Sequence, residues 1–229
     1  MTDNLDSIKS ELLAIGKRIY DRGYVAANDG NISVRLDQNT LLITPTGVSK
    51  GFMQADDLII LDMNGHIFVG QKKPSSESKM HIQIYKARPE VQCVCHAHPP
   101  YATGFAVAGI PLKKMVLPEA VLVLGTIPLV EYGTPGTDEL YQSLSKYILD
   151  YDAFLLSNHG ALTVGDSLLN ACHKMETLEH TAKIQFIAQQ LGKVRELDPE
   201  QVKQLLDLRE NFGIRPDVGL KLLKQKPKK

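Results

Sequence analysis

His96-Ala97-His98 closes an apolar run that begins at Val91 and reads as a strand, and side chains two apart on a strand point the same way. Pro99-Pro100 cannot continue a central strand, so two imidazoles share one face at a strand terminus, expected near the edge of the sheet where substrate can reach them. Neutral imidazole suits Zn2+ and neighbouring divalent ions such as Mn2+ or Co2+. A second apolar run, Leu155-Leu156-Ser157, ends in Asn158-His159-Gly160, so a third imidazole leaves a strand end, with Gly160 expected to permit the turn that aims it. Three histidines from two strand ends make a site with one coordination position open, which is catalytic where a closed four-ligand zinc would be structural. The alternative is that these are ordinary surface or core histidines.

Pro74-Ser75-Ser76-Glu77 stands before a helical pattern in which Met80, Ile84 and Ala87 share a face. Proline and serine there are ordinary capping chemistry, yet a helix start also presents unpaired N–H groups to an anion. Glu77, placed in the first turn, is either stabilised by the helix dipole or available as a fourth metal ligand or general base. Two turns, Asn28-Asp29-Gly30-Asn31 and Thr44-Pro45-Thr46-Gly47, either join secondary-structure elements or use their backbone N–H groups as a neutral phosphate cradle.

These side chains need a scaffold. Leu5, Ile8, Leu12, Ile15 and Ile19 recur at helical spacing and predict an amphipathic helix that Gly23 stops. Ile32, Val34 and Leu36 alternate with polar residues, residues 37–39 read as a turn, and Leu41-Leu42-Ile43 follows as a second strand. A second hairpin runs from residues 58–60 to 67–69, with Asn64-Gly65 as its two-residue turn. Next come a helix starting near Ser76, a strand over 91–98, and helices over 103–108 and 137–148. Strands at 153–157 and 161–164, a long helix over 167–191 and a last helix over 199–211 complete the pattern. Hairpins first and helices later suggest one mainly antiparallel sheet covered by helices, an α/β fold. Without repeat, linker or composition break, residues 1–229 read as a single domain with its core at about 5–191. A C-terminal helix and a flexible basic tail occupy 199–229, residues 224–229 reading as a solvated extension.

Composition sets the outer limits. With 229 residues, 43% of them apolar, the chain can bury a core without disulfides or a structural metal. Lysine plus arginine (26) equals aspartate plus glutamate (26), which argues against disorder and against a dedicated nucleic-acid binder. Cys93, Cys95 and Cys172 are odd in number and point to a reducing compartment. Asp3, Asp6 and Lys9 do not resemble a signal peptide, and the apolar stretch 115–124 is broken by Pro118 and Glu119, so a cytoplasmic protein without membrane insertion is expected. Cys93 and Cys95 alternate with His96 and His98 and belong in the core. His66, His173 and His180 read as structural, whereas His81, four residues after Glu77, is placed to orient it.

In order, Gly30-Asn31-Ile32-Ser33, Thr44-Pro45-Thr46-Gly47, Ser75-Ser76-Glu77, His96-Ala97-His98 and Asn158-His159-Gly160 resemble the class II aldolase/adducin-head family, typified by L-fuculose-phosphate aldolase and L-ribulose-5-phosphate 4-epimerase. The resemblance runs from the first helix to about Leu191. It implies a three-layer α/β/α domain with a central mainly antiparallel sheet, and a homotetramer of cyclic symmetry with active sites at subunit interfaces. It also implies zinc on His96, His98 and His159, with Glu77 as the acid/base beside the metal and a possible fourth ligand. Gly30, Asn31, Thr46, Gly47, Ser75 and Ser76 would bind a sugar phosphate.

The activity so implied is an aldolase that cleaves a ketose 1-phosphate to dihydroxyacetone phosphate and an aldehyde. Zinc held by neutral imidazoles keeps its full charge to polarise the carbonyl and stabilise the enediolate. The tyrosine that follows the His-x-His helix in fuculose-phosphate aldolase has no counterpart in residues 114–120. Glu119 is the side chain placed to substitute as second acid/base, or else caps the helix after Pro118. A glutamate there resembles members acting on 5-deoxy or 5-methylthio ketopentose phosphates. The same metal site also suits 4-epimerisation of a ketopentose phosphate, dehydration of methylthioribulose 1-phosphate or decarboxylation of a 3-oxo acid phosphate. A non-enzymatic scaffold, as in the adducin head, is the competing class.

Overall fold

Leu12, Ile15 and Ile19 lie buried along one stripe of the opening helix α1 (Thr2–Asp21), and Gly23, at φ +69°, turns the chain out of it. The structure is a computed structural model that describes residues 2–223, so the expected basic tail at 224–229 lies outside the described residues.

Four antiparallel strands follow: β1 (Asn31–Arg35), β2 (Thr40–Ile43), β3 (Ile59–Asp62) and β4 (Ile67–Val69). The second hairpin departs from the two-residue turn expected of Asn64-Gly65. Asp62 O accepts from Gly65 N, Asp62 N donates to His66 O, and Gly65 has a positive φ whereas Asn64 does not. A type I turn followed by a left-handed glycine results, because the Asp62 carboxylate accepts from the N–H groups of both Asn64 and His66 and so sets the loop.

Then come α2 (Ser78–Ala87), β5 (Cys93–Ala97), α3 (Pro100–Val107), α4 (Pro118–Val123), β6 (Leu129–Val130), α5 (Asp138–Leu144), β7 (Ala153–Leu156), β8 (Gly160–Gly165), α6 (Leu168–Gln190) and α7 (Pro199–Asp207). The strands form one sheet in the order β4-β3-β2-β1-β5-β8-β7-β6, antiparallel except for the β6–β7 pair. β5 is therefore central. The paired histidines sit at the end of an interior strand, not near a lateral edge of the sheet as its closing prolines suggested. β6, two residues long, is too short to leave a period-two signal.

Alternation along each strand divides the core. Leu42, Cys93, Cys95, Ala153 and Leu155 pack under α1, α3 and α6, while Leu41, Ile43, Val94, Phe154, Leu162 and Val164 pack under α2 and α5. The sheet is thus covered on both faces in an α/β/α arrangement, and the three cysteines are buried and unbridged. Each fully buried Leu or Phe contributes roughly 1.5–3 kcal/mol, which makes β5, β7 and β8 a firm base for side chains projecting from their ends. Two buried charges on α6 fasten it to the same strands and to α3. Lys174 Nζ donates to Asp152 Oδ2 at 2.7 Å and to Val164 O at 3.1 Å, and the Glu179 carboxylate accepts from the first N–H groups of α3, those of Tyr101 and Ala102. Among the described residues, no helix is long and apolar enough to cross a membrane.

Candidate metal centre

β5 lies between β1 and β8, with His96 opposite Asn31 on one side and Leu162 on the other. His96 Nδ1 donates to Ala161 O at 2.8 Å, and a carbonyl can only accept, so its proton is on Nδ1 and Nε2 carries a lone pair. His98 follows β5, its backbone N–H held by Tyr24 O and its Nδ1 3.5 Å from Asp29 Oδ2. His159 stands in the turn between β7 and β8. The three rings lie with centroids 4.6–5.1 Å apart, and one nitrogen from each falls within 4.8 Å of the others.

Gly160 serves a different purpose from the one its sequence suggests. The positive φ in this turn belongs to Asn158 (φ 54°), while Gly160 is ordinary strand backbone. A Cβ on residue 160 would meet His98 Cδ2 at 2.5 Å and Ala97 O at 2.6 Å, so the glycine makes room for the imidazoles. Gly160→Ala is expected to weaken divalent-metal binding about 10- to 100-fold by displacing the His98 ring. Competition against a chromophoric chelator measures this, and unchanged affinity would mean that β8 yields around the methyl group.

Glu77 is at the cap position of α2, one residue before the helix, instead of in its first turn, and its side chain does not cap. Its own N–H is met by Ser75 Oγ at 3.3 Å. The carboxylate turns to the histidines, with Oε2 3.2 Å from His96 Nε2 and Oε1 3.4 Å from His159 Nε2, while Asn31 Nδ2 donates to Oε2 at 2.8 Å. Burial alone would raise its pKa, but His96, His159 and the Asn31 hydrogen bond outweigh it and hold Glu77 below the ordinary carboxylate value. Burial and the neighbouring His96 lower the pKa of both His98 and His159, the latter to about 4, so these two rings are neutral at pH 7. Glu77 Oε1 and His159 Nδ1 are buried without a hydrogen-bond partner among the described residues. His98 Nε2 lies 3.1 Å from His96 Nε2, and the Glu77 carboxylate stands against the Nε2 atoms of His96 and His159, so imidazole nitrogens and carboxylate oxygens gather in one place. A divalent cation satisfies them together, so the donor set fits a metal ion.

Beside the histidines lies a cavity of about 200 Å³ lined by Gly30, Asn31, Thr46, Ser75, Ser76, Glu77, His98 and His159, with Asn28, Asp29, Pro45 and Pro135 completing it. Gly47 follows Thr46 at φ +73°. Gly30 has both reasons to be glycine, a φ of +72° and a Cβ position 2.8 Å from His96 O. The turns are tied together: Pro45 bridges Pro74, and Thr46 N donates to Lys73 O. Lys50, fully buried, donates to Asn28 O at 3.0 Å and Val48 O at 2.9 Å, and burial lowers its pKa to about 8. Nothing in its sequence surroundings marks Lys50 for this task. Asp29 was visible as part of a turn, but its arrival here, like that of Pro135, depends on tertiary contacts.

Glu119 is placed elsewhere. It lies exposed in the first turn of α4 and lines a separate cavity of about 770 Å³ with Tyr24, Tyr101 and His180.

The chain matches the profile described as Class II Aldolase and Adducin N-terminal domain over residues 10–186. It is 37% identical over 209 residues to 3-oxo-tetronate 4-phosphate decarboxylase of Haemophilus influenzae, covering 90% of this chain and 97% of that one. It is 40% identical over 182 residues to L-fuculose phosphate aldolase of Methanococcus maripaludis, covering 80% and 98%. A solved structure of an L-fuculose 1-phosphate aldolase superposes with a TM-score of 0.82 at 31% identity, covering 91% of this chain and 97% of its own.

Proposed function

The chain belongs to the class II aldolase and adducin N-terminal domain family, and from that premise we propose that it is a zinc-dependent aldolase that reversibly cleaves a ketose 1-phosphate into dihydroxyacetone phosphate and an aldehyde. The observation that carries this reading is the convergence of three imidazoles and the Glu77 carboxylate at a small cavity walled by Gly, Ser and Thr turns.

His96, His98 and His159 would hold the metal, which when bound supplies a Lewis acid for the carbonyl and for the charge that builds as the carbon–carbon bond breaks. The chain's own residues do the rest. Backbone N–H groups of Gly30, Asn31, Gly47, Ser75 and Ser76 and the hydroxyls of Thr46, Ser75 and Ser76 would grip the phosphate, fixing the reacting carbon against Glu77. In the condensation direction the Glu77 carboxylate would take a proton from the reacting carbon of the three-carbon fragment, whose freed electron pair forms the bond to the aldehyde carbon. In cleavage the substrate hydroxyl loses its proton, the bond electrons stay with the three-carbon fragment, and Glu77, first protonated from solvent, returns a proton to that carbon. Glu119 would take the hydroxyl proton. Within one chain it is apart from the histidines, so this role requires the homotetramer, with active sites at subunit interfaces.

The relative named as a decarboxylase supports a second reading on the same site. Loss of CO2 from a 3-oxo-tetronate 4-phosphate also leaves dihydroxyacetone phosphate, so the reactions share the fragment facing Glu77 and differ in the group that departs. The test is to supply fuculose, rhamnulose, ribulose, 5-deoxyribulose and methylthioribulose 1-phosphates and 3-oxo-tetronate 4-phosphate in turn. Dihydroxyacetone phosphate and the co-product are then measured. Aldehyde is expected; CO2 from the oxo acid with no aldehyde from any ketose would replace the aldolase reading with the decarboxylase one.

A further inference from the structure

Behind Glu77, on the side away from the histidines, a chain of buried polar groups runs into the protein. Asn31 and Ser33 occupy alternate positions of β1, and His81 and Tyr85 lie one helical turn apart on α2, four and eight residues beyond Glu77. The strand pair and the helix pair interlock. His81 Nε2 lies 2.6 Å from Asn31 Oδ1, His81 Nδ1 2.6 Å from Ser33 Oγ, and Ser33 Oγ 2.7 Å from Tyr85 OH. Asn31, Ser33, His81 and Tyr85 are each no more than 3% exposed.

Donor and acceptor chemistry gives this chain one direction. Glu77 as a carboxylate can only accept, so the Asn31 amide must present nitrogen to it and oxygen to His81. The oxygen accepts, so His81 carries its proton on Nε2. Burial keeps the ring neutral, which leaves a lone pair on Nδ1 for the Ser33 hydroxyl. With its hydrogen so used, Ser33 Oγ accepts from Tyr85 OH. Tyr85 OH also lies a longer 3.4 Å from Gln92 O, while the hydrogens of Ser33, His81 and Asn31 all point toward Glu77.

We propose that His81, backed by Ser33 and Tyr85 and acting through Asn31, is a positioning residue that fixes Glu77 Oε2 and leaves Oε1 free to move the proton. The asymmetry of the carboxylate is the mark of it: Oε2 takes the Asn31 hydrogen bond, whereas buried Oε1, facing His159, has no hydrogen-bond partner among the described residues. The Asn31 side chain is committed to this line through both its oxygen and its nitrogen. That takes the Asn31 side chain away from the phosphate contact expected of it.

This inference rests on the acid/base reading of Glu77, and the experiments separate the two. His81→Phe, which fills the space but neither donates nor accepts, is expected to lower kcat on the order of 100-fold, with KM and zinc stoichiometry unchanged. His81→Gln, with one donor and one acceptor, is expected to recover most of that loss. In the unmodified zinc-loaded protein, selective 15N-histidine NMR is expected to show His81 as the neutral Nε2–H tautomer. A Nδ1–H or doubly protonated ring overturns the directed chain, and it does so even if His81→Phe fails to fold. Full kcat in His81→Phe alongside an inactive Glu77→Gln overturns the positioning role alone. Full kcat in Glu77→Gln overturns the acid/base reading beneath it. A rise in KM at unchanged kcat in His81→Phe returns Asn31 to phosphate binding and overturns the inference.

Discussion

Stripping divalent metal from the protein with a chelator is expected to abolish turnover, by at least about 1,000-fold, and added zinc to restore it. The expectation follows from the donor set. Burial lowers the pKa of His98 and His159, His96 Nε2 is freed by the Nδ1 hydrogen bond to Ala161 O, His98 Nε2 lies 3.1 Å from that freed nitrogen, and Glu77 Oε1 is buried without a hydrogen-bond partner beside His159. Among the described residues, no lysine lines the small cavity. The loss should come from chemistry and not from unfolding. Both core clusters are built from apolar side chains that leave the three histidines out, so the metal-free chain keeps its scaffold. Thermal unfolding then shows a destabilisation of about 4 kcal/mol relative to protein held at metal concentrations of roughly 1,000 Kd. His98→Ala is the cleanest single-site probe. Its ring is a quarter exposed, whereas His96 is fully buried and its removal would also delete the hydrogen bond to Ala161 O. Turnover undiminished at less than a tenth of an equivalent of measured metal would end the metal-dependent reading.

The same residues show what a sequence discloses and what it withholds. His96, His98 and His159 were legible because period-two geometry puts His96 and His98 on one face and each run visibly stops, at Pro99-Pro100 and at Asn158-His159-Gly160. Their meeting was not legible, since it depends on β5 and β8 being neighbours, a pairing of segments about 65 residues apart. Gly160 misled in a telling way. Glycine usually reports positive φ, but here the neighbouring Asn158 adopts it and the glycine answers to ring volume. The Asp62 side chain likewise overrode the turn that Asn64-Gly65 favours. Glu77, His81 and Tyr85 lie at a visible four-residue spacing, and Asn31 and Ser33 at a visible two. What joins them is the seating of α2 against β1, a matter of packing that neither period encodes. Glu119 is the converse: its position after Pro118 was plain, yet one chain leaves it in another cavity.

Glu77→Gln is expected to keep the metal and lose most of the rate, with kcat down between about 100- and 10,000-fold, the range a positioned acid/base contributes. The substitution preserves shape, so Asn31 Nδ2 still finds an oxygen to donate to, and that contact decides which way the amide faces. Its nitrogen must then point toward His159, where Oε1 stood 3.4 Å from Nε2. An amide there cannot take a proton from carbon and return it, so the chemical step fails even when substrate is bound. The three imidazoles remain, so zinc content measured per chain should stay near one equivalent. KM should change little, because the phosphate grip lies in the turns at Gly30, Thr46-Gly47 and Ser75-Ser76. Glu77→Asp adds a discriminating arm. It retains a carboxylate but withdraws it by one methylene from both Asn31 and the histidines, so the rate should lie between those of wild type and Gln. If Gln matches wild type in kcat, Glu77 does not move the proton. If Gln loses zinc as well as rate, Glu77 acts as a metal ligand before it acts as a base, and its carboxylate belongs with His96, His98 and His159 in holding the ion.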